Sequence, residues 1–339
     1  MEIKENFKQE LIQELKNHFS EQKRYRIEGV ERLEGADTVT FGFVFHYGKE
    51  KKNLILRIFR SITDKAERGF YTLEALYSAN LPVPKPYLWK KDSPNISNSY
   101  LIMERISGTL LADSFFETQD KNERISLMHL FIRELVKLHQ FKWKNQFSFI
   151  SRPNIENDPY FFVNRIIEFP KQMIKKYKII ELEPLIFWLE EHKQKCEEIV
   201  LLHGDYHMNN VIITPDRKLV VIDWADIKLG DFRHDLAFAI VTTSSTGKDV
   251  TKQFVKQYQS LTGKKVDNIE YFLILSSLNN ILRAYSALLH PEITNETETT
   301  RYMFFEAYRP YSQYLITLVQ RITRISLLTA AKALSINYG

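Results

Sequence analysis

The sequence predicts an α+β protein of two unequal parts, an antiparallel sheet with helices followed by a larger, mainly helical remainder. Three observations carry this. Strand-like alternation runs from Tyr25 to Arg60, helical spacing dominates beyond about residue 106, and a β-branched hairpin pattern interrupts the helical part at residues 211–222. A chain of 339 residues can bury a substantial core and suggests two domains or lobes. The expected boundary separates residues 1–105 from residues 106–339.

Residues 5–20 place Phe7, Leu11, Ile12, Leu15 and Phe19 at helical spacing, which predicts an amphipathic helix. Three strands follow, Arg26 to Leu33, Thr38 to Tyr47 and Asn53 to Phe59. Glu34-Gly35-Ala36-Asp37 forms the first turn and residues 48–52 the second. A helix over residues 64–80 must stop at Leu81-Pro82-Val83-Pro84, because proline lacks the donor a helix needs and restricts the residue before it. Tyr100 to Glu104 reads as a further strand running into a turn at Gly108. Asp120 and Glu123 make a capping pair for a helix whose stripe includes Ile132, Leu135, Val136 and His139, reaching Trp143. Residues 150–198 and 240–339 read as mostly helical, with aromatic and leucine stripes that serve as core. No internal repeat, low-complexity tract or long linker interrupts the chain.

Residues 201–224, LLHGDYHMNNVIITPDRKLVVIDW, are the most informative stretch. Two β-branched runs, Val211 to Thr214 and Leu219 to Ile222, flank Pro215-Asp216-Arg217-Lys218, which predicts a hairpin with a four-residue loop. That register pairs Thr214 with Leu219, Val211 with Ile222 and Asn210 with Asp223. Directly opposed side chains share a face about 5 Å apart, so an amide oxygen and a carboxylate would lie together as hard ligands for Mg²⁺. A slip of one residue would put them on opposite faces. Asp205, then Asn210 five residues on, then a strand ending in Asp223 is also an order suited to phosphoryl transfer. There one Asp orients the attacking hydroxyl while an Asn and a second Asp hold the metal.

Here the chain resembles the aminoglycoside phosphotransferase family, small-molecule kinases with a protein-kinase-like fold. The matching residues are His203-Gly204-Asp205-Tyr206-His207-Met208-Asn209-Asn210, Ile222-Asp223-Trp224, and Gly230-Asp231-Phe232-Arg233-His234-Asp235-Leu236-Ala237. Phe232 stands where the family usually has proline, which bears on loop shape more than on chemistry. The resemblance implies a bilobal kinase-like fold, with an N-lobe sheet plus helix and a larger α-helical C-lobe. It implies transfer of the ATP γ-phosphate, with GTP as alternative donor, to a hydroxyl of a small molecule with the help of Mg²⁺. Asp205 is then catalytic, Asn210 and Asp223 are metal ligands, and Asp235 supports the catalytic loop through backbone N–H groups. Arg57 takes the place of the strand Lys that touches nucleotide phosphate; a solvent-facing strand arginine is the alternative. The Glu104 carbonyl and the Ile106 N–H hold adenine. Gly69 aligns with the helix Glu that usually pairs the strand cation, a departure that leaves that ion pair in question. The acceptor reads as an aminoglycoside, a macrolide or a hydroxylated metabolite. A catalytically weakened nucleotide-binding regulatory or scaffold protein of the same fold is the competing reading.

Composition narrows the classes further. Hydrophobic residues make up 44% and charged residues 26%, ordinary for a soluble globular protein. Cys196 is the single cysteine, so no intrachain disulfide forms and a reducing, cytoplasmic setting is expected. The charged N-terminus lacks a signal-peptide core, and no stretch is apolar enough to span a membrane. The net charge of +5 comes from dispersed residues, which argues against nucleic-acid binding and mildly against a polycationic acceptor. An acidic patch at Glu292 to Glu298 runs the other way. His203, Asp205 and His207 alternate like ligands for Zn or Fe, but no further His-rich cluster completes such a site, and scaffold roles for the two histidines are expected instead. Nothing in the sequence sets the oligomeric state.

Overall fold

In a computed structural model the described residues are 3–19, 24–33, 38–59, 63–147, 157–244, 250–289 and 313–327. The first turn at residues 34–37 and the acidic patch at 292–298 lie outside them. In chain order the elements begin with α1 (Glu5–Lys16), β1 (Tyr25–Leu33), β2 (Thr38–Tyr47), β3 (Glu50–Phe59), α2 (Lys65–Ser78), β4 (Pro86–Lys90), β5 (Tyr100–Glu104) and β6 (Thr109–Leu110). They continue with α3 (Leu111–Glu117), α4 (Lys121–His139), α5 (Phe161–Tyr177), α6 (Glu183–Glu191), β7 (Val200–Leu202), β8 (Val211–Ile213) and β9 (Leu219–Val221). Last come β10 (Lys228–Gly230), α7 (Arg233–Ser244), α8 (Thr251–Thr262), α9 (Ile269–Leu289) and a helix over 313–323.

The chain divides into two compact units. One takes in residues 1–127, 142–150 and 209–227, the other residues 128–141, 151–208 and 228–339. In the first, five strands form an antiparallel sheet in the order β1-β2-β3-β5-β4. Alternation decides its two faces. Phe41, Phe43 and Phe45 of β2, Leu54, Leu56 and Ile58 of β3, and Tyr100 and Ile102 of β5 share one face. There they form a core with Phe7, Leu11, Ile12 and Leu15 of α1. Each such buried side chain stabilises by roughly 2 kcal/mol over an exposed one. The register sets Thr40, Arg57 and Leu101 opposite one another on the second face, with Gly42, Ile55 and Met103 beside them. The β2–β3 turn is tighter than the sequence suggested. Gly48 and Lys49 alone form it, Gly48 at φ +65°, and Tyr47 pairs with Glu50.

The hairpin of β8 and β9 belongs to the same unit and pairs with β6. Its register corrects the expectation by one residue. Val211 pairs with Val221 and Ile213 with Leu219, and the Thr214 N–H donates to the Lys218 carbonyl at 2.9 Å. The loop is therefore three residues, Pro215 to Arg217, rather than four. Its last residue, Arg217, is left-handed at φ +61°, a common closure for a three-residue hairpin.

The second unit is mainly helical, with β7 and β10 as its two-stranded sheet. Leu236, Ala237, Ala239 and Ile240 of α7 are fully buried, as are Ile274, Leu275 and Leu278 of α9, and α7 packs against α9. A helix buried on all sides needs apolar residues all round, and α7 has them. Among the described residues no helix is long and apolar enough to cross a membrane.

Candidate active site

The segment from His203 to Asn210 begins where β7 ends, and a buried carboxylate fixes its backbone. Asp235, in the first turn of α7, accepts the His203 N–H at 2.7 Å and the Gly204 N–H at 3.0 Å. This is the support the sequence anticipated. His203 is fully buried, and its Nδ1 accepts the Asp205 N–H at 3.3 Å. Tyr206 is fully buried as well. Its hydroxyl donates to the Phe131 carbonyl at 2.7 Å while its ring stacks on Phe131. Asp205 is held between these anchors with its side chain partly exposed, and the His207 ring nitrogen Nε2 lies 3.4 Å from its Oδ2. Both histidines thus contact the loop itself. Among the described residues no group of three or more His, Cys, Asp or Glu side chains could hold a metal ion.

Behind Asp235 lies a chain of buried groups that the sequence reading did not single out. His139, noted only as part of the α4 stripe, approaches Asp235 Oδ2 with Nε2 at a long 3.5 Å and Tyr258 with Nδ1 at 2.9 Å. A carboxylate only accepts, so Nε2 carries the proton toward Asp235 and Nδ1 accepts from the Tyr258 hydroxyl. Burial pushes the Asp235 carboxyl up, yet the His139 contact together with the neighbouring His234 and His203 rings outweighs it, and the group sits below its ordinary value. Burial also pushes Tyr258 up, so the phenol keeps its proton. Phe232 stacks on Tyr258 at 5.1 Å with rings nearly parallel. The replacement for proline is therefore a packing element.

The same motif is stapled from its other end. Arg233 binds Asp231 through Nε at 2.9 Å and Nη2 at 2.6 Å, both residues being buried. The guanidinium also donates to the carbonyls of Lys195 and Asp267 and lies 4.6 Å from the Phe272 ring centre. A buried ion pair is tolerable when its remaining hydrogens find acceptors, which these carbonyls supply. Gly230 is fixed by space, because a Cβ there would fall 2.1 Å from the Phe162 ring. His234, buried beside Asp235, is pushed down to about 4, first by burial and then by the Lys228 charge.

The other predicted residues belong to the first unit. Asn210 ends a short 3₁₀ turn (Met208–Asn210) and is buried, and its carbonyl accepts the Ile222 N–H at 2.9 Å. Asp223 therefore lies one step past the residue that faces Asn210, so strand pairing does not set the two side by side. It leaves the strand with a left-handed backbone, φ +64°, and opens the 3₁₀ turn Trp224–Asp226. Trp224 is buried, its indole N–H donating to the Val221 carbonyl at 2.9 Å.

Arg57 Nη1 meets Asp223 Oδ1 at 2.9 Å. The strand cation thus has a carboxylate partner, supplied by Asp223 instead of by the α2 helix. Arg57 and Asp223 line a shallow, solvent-open cleft with Leu101, Met103 and the Lys65–Gly69–Leu73 face of α2. At the end of β5, the Glu104 N–H donates to the Lys85 carbonyl at 2.8 Å and the Arg105 N–H to the Asn53 carbonyl at 3.0 Å. Ile106 follows outside any helix or strand and is half-buried.

A sequence model of a family described as "Phosphotransferase enzyme family" matches residues 40–268. A curated relative, "Acyl-CoA dehydrogenase family member 11" of Gallus gallus, is 27% identical over 180 residues, 52% of this chain and 22% of that protein. The chain thus matches about a fifth of that relative's length. Among solved structures, a putative aminoglycoside phosphotransferase from Ralstonia eutropha superposes with a TM-score of 0.73 at 18% identity, covering 92% of this chain and 98% of the other. Spectinomycin phosphotransferase in complex with ADP and spectinomycin gives 0.58 at 14% identity, covering 96% and 98%. The fold is therefore the protein-kinase-like one that the sequence suggested, shared with small-molecule kinases.

Proposed function

The chain belongs to the phosphotransferase enzyme family, and on that premise we propose that it transfers the γ-phosphate of ATP, or of GTP as the alternative donor, to a hydroxyl of a small molecule. The observation that carries this reading is Asp205, partly exposed on a loop whose backbone is locked by Asp235. Phosphoryl transfer needs positioning and charge neutralisation more than covalent help. In this reading Asp205 orients the acceptor hydroxyl and takes its proton. Arg57 contacts phosphate, and the Glu104 carbonyl and Ile106 N–H receive adenine.

Asn210 and Asp223 are the residues that would hold Mg²⁺. The donor set fits, since Mg²⁺ usually takes one or two protein oxygens and fills its other positions with water and phosphate. The Asp223 side chain is 42% exposed and already faces a cation, so it is reachable. Bound Mg²⁺ would neutralise charge on the phosphate oxygens. The acceptor is an antibiotic such as an aminoglycoside or macrolide, or a hydroxylated metabolite. The test is ATP consumption across a library of both, comparing wild type with Asp205→Ala. Loss of a general base costs about 10²–10⁴-fold in turnover, and Asp223→Ala should instead weaken Mg-nucleotide binding.

One observation favours a second reading, a nucleotide-binding regulatory or scaffold protein. Gly69 stands where the family's helix carboxylate is expected, and Arg57 is paired elsewhere. Nucleotide binding without turnover above the Asp205→Ala level, for any acceptor, decides for it.

A further inference from the structure

The cleft holds more positive charge than the β3 arginine brings to it. Lys65, Gly69 and Leu73 fall at i, i+4 and i+8 along α2, so one face of the helix lines the cleft. A carboxylate on that face would balance Arg57. The central position is Gly69, and even a Cβ there would lie 3.3 Å from Leu101 Cδ2. Glu67 and Glu74 sit on other faces of α2 and do not line the cleft. Among the described residues that line it, Asp223 is the one acidic side chain, and it faces Arg57. Two cations therefore stand against one carboxylate. The Arg57–Asp223 pair is partly exposed, at 14% and 42%, and a pair that open to water is readily given up.

We propose that Lys65 is a second phosphate-binding cation of the nucleotide site and that the Arg57–Asp223 pair is a holding contact that a phosphate group breaks. The proposal rests on the nucleotide-site reading above. Arg57 offers a planar fork and Lys65 a point charge on a flexible stem, a combination that grips two phosphate oxygens from different directions. When Arg57 turns to phosphate, the Asp223 carboxylate is released to take a cation. The helix lysine thus adds positive charge beside the strand arginine, and phosphate binding without metal follows from the surplus.

Calorimetric binding of ADP and of adenosine, each in EDTA and in excess Mg²⁺, tests this on the full chain. Lys65→Gln should weaken ADP about tenfold in both conditions, the worth of one charged hydrogen bond, with adenosine affinity unchanged and Lys65→Arg restoring ADP. Asp223→Asn should tighten ADP in EDTA, because Arg57 is no longer held, and abolish the gain from Mg²⁺. Lys65 is exposed, so its variants are expected to fold, and equal melting temperatures check that. Wild type that binds ADP with Lys65→Gln unchanged overturns the proposal alone, as does Asp223→Asn that weakens ADP in EDTA. Wild type that binds neither ADP nor adenosine overturns the nucleotide-site reading beneath it.

Discussion

Asp235 and Asp223 are both motif carboxylates, yet the regions around them are built on opposite terms. Asp235 is fully buried, accepts two backbone N–H groups, and is backed by His139 and Tyr258. Asp223 is 42% exposed and meets a guanidinium that is itself partly exposed. In a dry setting each hydrogen bond is costly to leave unmade, so the loop bearing Asp205 has one arrangement. In a wetter setting a carboxylate can exchange one cation for another at little cost. The first region suits a group that must stay in place, the second a group that must accept an arriving ligand.

This contrast can be broken most directly at Asp235. Asp235→Ala strands a buried N–H at His203 and a partly buried one at Gly204, and should cost on the order of 4 kcal/mol, measured by urea unfolding. A loss no larger than that of Asp223→Ala would show that the two carboxylates do not differ as described.

Next in size is a pH effect at His234. Its folded pKa of about 4 lies below the ordinary 6.5, so the neutral, buried ring stabilises the fold fully above about 6.5. That contribution is lost as the pH falls toward 4, because the unfolded chain binds the proton first. The window corresponds to on the order of 3 kcal/mol. Stability measured from pH 7 to pH 4 should fall less steeply in His234→Gln. Parallel slopes would mean that the ring is not kept neutral by its burial.

The smallest effect sharpens the comparison. Tyr258→Phe keeps the stack on Phe232 but leaves His139 Nδ1 without its donor, at about 1–2 kcal/mol. Amide exchange at His203 and Gly204 should quicken, since those N–H groups depend on the carboxylate that His139 supports. Unchanged exchange there would confine the Tyr258–His139 contact to packing.

Much of this was legible in the sequence for local reasons. The α1 stripe, the β2 and β3 alternation, the Pro-Val-Pro stop after α2 and the three motifs are short-range patterns, and periodicity reports them directly. The support of His203 and Gly204 by Asp235 was reachable through the resemblance. The hairpin register was not, because it turned on Arg217 adopting a left-handed backbone that arginine does not announce. One residue of loop length then moved Asp223 past the position facing Asn210.

By itself the sequence carried the family resemblance, the α+β class and, through that resemblance, the residues proposed for chemistry. The class follows from hydrophobic spacing, and the rest from short motifs that resemble those of the family. Only the tertiary structure decided which groups partner them, namely His139 and Tyr258 behind Asp235, Phe232 against Tyr258, Asp223 beside Arg57, and Lys65 lining their cleft. Such partners are brought together by packing across 166 residues in the case of Arg57 and Asp223, and no local pattern records a contact made over that separation.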